Sequence, residues 1–308
     1  MSIEAEMDHF GLFTNDLEKT ISWYNKFLGF KVSDYLPPGN KKEALVAPDG
    51  ISWMRLSTLH HDLTLVQLPT KKKVLSADKK KSNLKKITFE IYSEESFQNA
   101  YKYLHTSNSV LLEQLSIHPF LKCPSFTVSD PNGNLIEIIN RHKKGNKEFK
   151  TDNNKAASVP VDSLSYISIN SKDMNSAANW YEDVFGMQKQ SDFIDTEDTN
   201  KKIAMSDTEG NIKLVICESP EKDKINDLQQ IAFRVKDNKK VLSIHDFILS
   251  KNIPIIREPF RGWTGWLRYY FEDFDGNKIE IESGMDIVEP NYGFDNQIIK
   301  KLDLQHIF

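Results

Sequence analysis

Apolar positions along the chain switch between a period of two and a period of about 3.6 residues, and the switches mark out the same series of elements twice. An alternating stretch, His9–Phe13, predicts a short strand. An amphipathic helix follows, opened by Asp16 as N-cap and ending near Gly29. Strands are predicted at ISWMRLS (51–57), DLTLVQL (62–68) and LKKITFEI (84–91), and a second helix at EESFQNAYKYLHT (94–106). A hairpin then turns at Asn132-Gly133. The series returns with a strand at Tyr166–Ile169 and a helix from Asp173 to near Gly186. Strands at 201–206, 212–218 and 228–235, a helix at 239–251 and a hairpin turning at Asp275-Gly276 complete it.

Three ungapped blocks recur in the same order. Trp23-Tyr24 and Gly29 return as Trp180-Tyr181 and Gly186, 157 positions on. LKKITFEI returns as LQQIAFRV at 228–235, and DPNGNLIEI (130–138) returns as DFDGNKIEI (273–281). The domain reading is module 1 over 1–142, a polar linker over 143–160, module 2 over 161–285 and a C-terminal tail over 286–308. The tail carries Ile298, Ile299, Leu302, Leu304, Ile307 and Phe308, a composition suited to packing on a module or a partner. The Lys-rich stretch 70–86, absent from module 2, reads as a solvated loop rather than a nucleic-acid contact.

Composition narrows the function classes. With 39% hydrophobic and 27% charged residues the chain supports a packed core, and its net charge of −4 gives no reason to expect nucleic acid as partner. Cys123 and Cys217 are the only cysteines, which excludes a disulfide framework and a Cys-rich metal site. Neither a signal-peptide pattern nor an apolar run long enough for a membrane span occurs, so a cytoplasmic protein without a membrane partner is expected. Both a monomer and a homodimer fit two modules in one chain.

The run of strand, helix with WY…LGF, HxAF-like strand and DPxGNxIE resembles the vicinal-oxygen-chelate superfamily of glyoxalases, bleomycin resistance proteins and extradiol dioxygenases. The resemblance covers nearly the whole chain outside linker and tail. It implies an α+β fold of tandem βαβββ modules whose cupped, curved mixed sheets carry helices outside and a ligand pocket inside. It also implies a divalent metal (Fe, Mn, Ni or Zn), with ligands from the first strand, the HxAF-like strand and the IE strand.

Carried over residue by residue, the first-strand ligand falls on His9 and Tyr166, and the IE-strand glutamate on Glu137 and Glu280. The histidine before the AF pair falls on Lys86 and Gln230, so the two-histidine set of extradiol enzymes is broken in both modules. Strand alternation independently turns His9, Lys86, Thr88, Glu90 and Glu137 to one face. LHHDLTLVQ (59–67) resembles the HHDL phrase of extradiol enzymes, which makes His61 the candidate acid/base, and His118 resembles a further supporting histidine. His9 and Glu137 are the expected metal ligands.

Each of these residues has a plainer reading. His9 and Glu137 would then only hydrogen-bond in a metal-free cup; His61 would be a surface histidine, and His60 simply exposed. Lys86 either faces an acidic ligand or lies at an exposed rim. Tyr166, Gln230, Arg234 and Glu280 line a polar cup in which Arg234 either grips a ligand carboxylate or pairs with Glu280. Trp263 and Trp266 serve either as hairpin core or as an aromatic stack on a ligand. The expected function is a metal-dependent enzyme acting on a small oxygenated organic molecule, ring-cleaving or glyoxalase-like. The alternative is a metal-free small-molecule or antibiotic-binding protein.

Overall fold

The computed structural model describes residues 5–39, 47–57, 59–69, 82–106, 111–141, 156–194, 201–219, 227–261 and 266–284, with side chains to 190 in the sixth of these. The tail, Trp263, most of the Lys-rich stretch and most of the linker lie outside them. The first half of the chain runs β1 (Glu6–Thr14), α1 (Leu17–Trp23, continued by a π turn over Tyr24–Leu28), β2 (Lys31–Leu36), β3 (Ile51–Arg55), β4 (Leu63–Gln67), β5 (Leu84–Ile91), α2 (Glu94–Thr106), β6 (Leu111–Ile117), β7 (Pro124–Ser129) and β8 (Leu135–Asn140). The second half runs β9 (Ser163–Ser171), α3 (Met174–Phe185), β10 (Gln188–Ile194), β11 (Lys201–Ser206), β12 (Ile212–Glu218), β13 (Leu228–Arg234), α4 (Asn238–Ser250), β14 (Ile255–Arg261), β15 (Leu267–Glu272) and β16 (Lys278–Glu282). Each tandem copy is thus a pair of βαβββ units. The strands that the hydrophobic pattern did not yield, β2, β6, β10 and β14, follow the helices. β6 and β14 are edge strands whose exposed faces carry little alternation, so the period-two signal fails there.

The helix starts and stops follow the sequence. Asp16 accepts from the Lys19 N–H and Asp173 from the Ser176 N–H, each at 3.0 Å, and both helices end on a left-handed glycine, Gly29 at φ 88° and Gly186 at φ 66°. The recurring Trp-Tyr and Asp-x-x-Gly-Asn blocks recur because they touch. Tyr24 donates to Asp130 Oδ2 at 3.2 Å, and Asp130 Oδ1 organises the turn by accepting from the N–H groups of Asn132 and Asn134. In the second copy Tyr181 donates to Asp273 at 2.7 Å, and Asp273 holds the N–H groups of Asp275 and Asn277.

The chain is organised as two compact units that do not follow the linear order. One comprises the described parts of Met1–Leu12, Lys80–Lys85 and Ile167–Asp286; the other those of Phe13–Lys79 and Lys86–Tyr166. The first contains the strand order β14-β15-β16-β13-β1 and the order β10-β11-β12-β9. Within it β13 runs parallel to β16 and β12 parallel to β9, while β1 pairs antiparallel with β13. The second contains β5-β8-β7-β6, with β5 parallel to β8, and β4-β3-β2. Ile87, Phe89 and Ile91 are buried, Phe89 lying edge-on to Phe30, while Thr88 turns to the other face and bonds Glu137. In the first unit Phe185 stacks on Phe233 with ring centroids 4.0 Å apart. These apolar faces fix which side of each sheet is left for polar residues. No helix among the described residues is long and apolar enough to cross a membrane.

Candidate metal centre

The first unit gathers His9 from β1, Gln230 from β13 and Glu280 from β16. Strand register dictates this: His9 lies opposite Ala232, Gly11 opposite Gln230, and Ala232 beside Glu280. All three side chains therefore leave the same sheet face, and all three are buried. His9 Nε2 is 3.1 Å from the Gln230 side-chain nitrogen and 3.5 Å from Glu280 Oε2, and Gln230 also contacts Glu280.

Behind His9 a register shift between Met7 and His9 turns Asp8 inward. Asp8 takes the Nδ1 side of the imidazole at 2.9 Å and is itself held by Arg234 at 2.9 Å. A carboxylate on Nδ1 holds the ring so that Nε2 points to Gln230 and Glu280. Arg234 thus pairs with Asp8, not with Glu280: register sets Arg234 beside Glu282, one pleat repeat away. Arg268 faces Glu280 instead, at 3.5 Å.

Burial disfavours a charged imidazole at His9, but Asp8, Glu280 and Glu282 more than offset it and push its pKa up to about 10. Burial would raise Glu280, yet His9, Arg268 and Lys278 bring it down to about 2. Glu282 is pushed up to about 8, chiefly by burial, with His9 acting against that and Asp8 adding to it. Lys278 is brought down to about 8 by burial, against the pull of Glu280.

The donor set fits a divalent ion. Donors bound at about 2.0–2.2 Å to one ion lie roughly 3.0–3.5 Å apart, the range spanned by His9 Nε2 and its two neighbours. Half a turn of the Gln230 amide exchanges its nitrogen for its oxygen. An inward oxygen repels the Glu280 carboxylate until a cation stands between them. Asp8, His9 Nδ1 and Glu282 also bring three donors within 4.8 Å of one another, but there Asp8 is already engaged by Arg234.

The repeat-equivalent residues gather in the second unit with a different outcome. Glu137 Oε2 accepts from Thr88 at 2.8 Å and from the Tyr166 hydroxyl at 2.9 Å, and Lys86 Nζ stands 3.3 Å from Oε1. His118 Nδ1 accepts from the Leu121 N–H, so Nε2 carries the proton and meets the Tyr166 oxygen at 2.6 Å and Glu137 at 3.4 Å. Burial alone would raise the Glu137 pKa; Lys86, His118 and Thr88 hold it well below the usual carboxylate range. Lys86 is likewise held above the usual lysine range: burial opposes its charge, but Glu137 and Glu113 prevail. A lysine ammonium is no metal ligand, so this set does not fit an ion; it carries its counter-charge covalently.

The groupings are therefore His9–Gln230–Glu280 and Tyr166–Lys86–Glu137, with the first strands exchanged between the tandem copies. His60 and His61 are buried rather than exposed, with their Nδ1 atoms 2.7 Å apart and His60 edge-on to Trp53. Asp8, Arg268 and Lys278 escaped the sequence reading. Asp8 turns in only through the bulge, whereas alternation along β15 and β16 was sufficient to mark the other two. The Cys123 thiol is pushed up to about 11, mainly by burial and then by Glu137, as suits an unreactive cysteine.

Comparison with known proteins bears on the fold. Solved structures similar to the chain include glyoxalase I from Zea mays, at 14% identity and TM-score 0.64 over 99% of this chain and 98% of that one. Another is a Bacillus subtilis subsp. subtilis str. 168 protein provisionally described as a dioxygenase, at 14% identity and TM-score 0.67 over 92% and 86%. At these identities the likeness is one of fold. No curated protein sequence matches the chain. The model of the Glyoxalase/Bleomycin resistance protein/Dioxygenase superfamily matches residues 6–138 and again 163–281, and the chain belongs to that superfamily.

Proposed function

We propose that this protein is a divalent-metal-dependent enzyme acting on a small oxygenated organic molecule, with its metal held by His9 Nε2, the Gln230 amide oxygen and Glu280. The observation that carries the reading is the convergence of these three donors from three strands on one buried point. When bound, the ion supplies Lewis-acid polarisation of a substrate oxygen. Asp8 keeps Nε2 directed inward, Arg234 anchors Asp8, and Arg268 steadies Glu280 from the opposite side. One imidazole with two oxygen donors suits proton-moving, glyoxalase-like chemistry better than oxygen activation, for which two imidazoles and a carboxylate are usual. That Gln230 and Arg268 already engage Glu280 favours, as second reading, a metal-free binding cup.

Metal content of protein purified without chelator and then loaded anaerobically with Fe(II), Mn(II), Ni(II) or Zn(II) separates the two. The expected result is about one ion per chain, lost in His9→Ala and Glu280→Ala and kept in Glu137→Ala. A wild type that stays empty, or a Glu280→Ala protein that keeps its metal, overturns the assignment.

A further inference from the structure

On the same sheet face as Glu280, toward the β14 edge, stand three cations, Arg257, Arg268 and Lys278. Arg257 lies opposite Tyr270, Phe260 opposite Arg268, and Tyr270 opposite Glu280, so these side chains share one surface. The Arg257 guanidinium carbon is 3.4 Å from the Phe260 ring centroid and that of Arg268 is 5.0 Å from it. Lys278 Nζ is 4.8 Å from the Tyr270 centroid. Glu280 faces Arg268. Glu272 is the cross-strand neighbour of Lys278, and Glu282 that of Arg268. Among the described residues neither Arg257 nor Lys278 has a carboxylate within ion-pair distance.

A second observation points to the same place. Trp266, the residue before β15, is 93% buried, and among the described residues its indole N–H has no hydrogen-bond partner. Its ring centroid is 5.2 Å from the Arg268 guanidinium carbon. A buried N–H donor left unpaired is costly, and guanidinium groups collected on aromatic faces repel one another unless an anion joins them. A bound anion answers both.

We propose that this patch is an anion subsite, and that the substrate of the His9–Gln230–Glu280 centre carries a carboxylate-like group. Arg257, Lys278 and the Trp266 N–H receive that group, while the rings of Phe260 and Tyr270 support the apolar part behind it. The substrate assignment rests on the metal-centre reading; the subsite stands without it.

Calorimetric titration of benzoate into chelator-treated full-length protein, with benzamide as the uncharged counterpart, tests the subsite. Saturable benzoate binding is expected, weakened by salt, with benzamide bound at least about tenfold more weakly. Arg257→Met, on an edge strand, is expected to lower benzoate affinity about tenfold or more. Lys278→Met gives an independent second loss, and circular dichroism verifies that both variants fold. Equal binding of the two probes, no benzoate binding, or an affinity unchanged in both variants overturns the proposal. A protein that binds benzoate through Arg257 but never takes up metal upholds the subsite and removes the metal reading. One that loads metal but ignores benzoate does the reverse.

Discussion

Replacing Lys86 by Met removes the built-in cation of the second unit and leaves Glu137 buried among neutral donors. Breaking a buried ion pair from one side costs roughly 3–5 kcal/mol. Two facts lower that here: the Lys86 side chain is 18% exposed, and Thr88, Tyr166 and His118 still face the carboxylate. A loss of about 2–3 kcal/mol is expected in guanidinium denaturation. A cycle of Lys86→Met, Glu137→Gln and the double variant should return a coupling of about 1–3 kcal/mol. The pH dependence follows from the direction of each shift. Glu137 is lowered in the folded protein, so its contribution is complete above its ordinary value of 4.5 and is lost as pH falls through that value and below. Lys86 is raised, so its contribution is complete below 10.5 and is lost as pH climbs beyond it. In Lys86→Met the burial of Glu137 is no longer offset by the ammonium, and acid destabilisation should begin at higher pH than in wild type. A variant within about 0.5 kcal/mol of wild type with near-zero coupling would refute the idea that the ammonium is the counter-charge of this centre.

Three further expectations follow from single contacts. A Cβ on Gly11 would collide with Gln229 Oε1 and lie 3.0 Å from Gln230 Cγ; Gly11→Ala should cost about 1–2 kcal/mol in thermal unfolding and weaken metal uptake by displacing Gln230. Tyr181→Phe deprives the buried Asp273 of a donor at 2.7 Å and should cost about 1–3 kcal/mol by denaturant titration; no change would mean that the turn does not depend on the helix. The double variant Lys86→Gln with Tyr166→His installs the donor types of the first centre in the second, and metal content should rise from about one to about two ions per chain.

The repeat, the helix caps and the glycine stops were legible because each is a local rule: a period, an Asp before a helix, a Gly after one. The inward facing of His9, Gln230 and Glu280 was legible for the same reason, since alternation needs only the strand. The grouping of these residues was not. Chain order suggests that His9 serves the module it belongs to, whereas β1 pairs with β13 of the other copy. Strand pairing is a long-range choice that no window of residues contains. The same limit hid the Asp8–Arg234 pair, which depends on a bulge seen only when β1 and β13 are aligned.

Once the first strands are exchanged, the departures from the family pattern acquire a physical meaning. The two repeat-equivalent centres face the same problem, a glutamate buried on the inner face of a sheet, and each needs positive charge beside it. At Glu137 the chain supplies that charge itself: Lys86 stands at the position of Gln230, and the neighbouring hydroxyls and His118 complete the network, leaving no vacant coordination. At Glu280 the position of Lys86 holds a neutral amide and the position of Tyr166 holds an imidazole whose Nε2 proton an incoming ion would displace, where the other centre has an ammonium and a hydroxyl that cannot ligate. Arg268 approaches Glu280 no nearer than 3.5 Å and from its other oxygen. A lysine at 230 would close this centre as Lys86 closes the other. Gln230→Lys is therefore the substitution that should abolish metal uptake while leaving Glu280 ionised and the fold as stable as before. Measuring metal content and Tm together separates that outcome from simple disruption, in which both would fall.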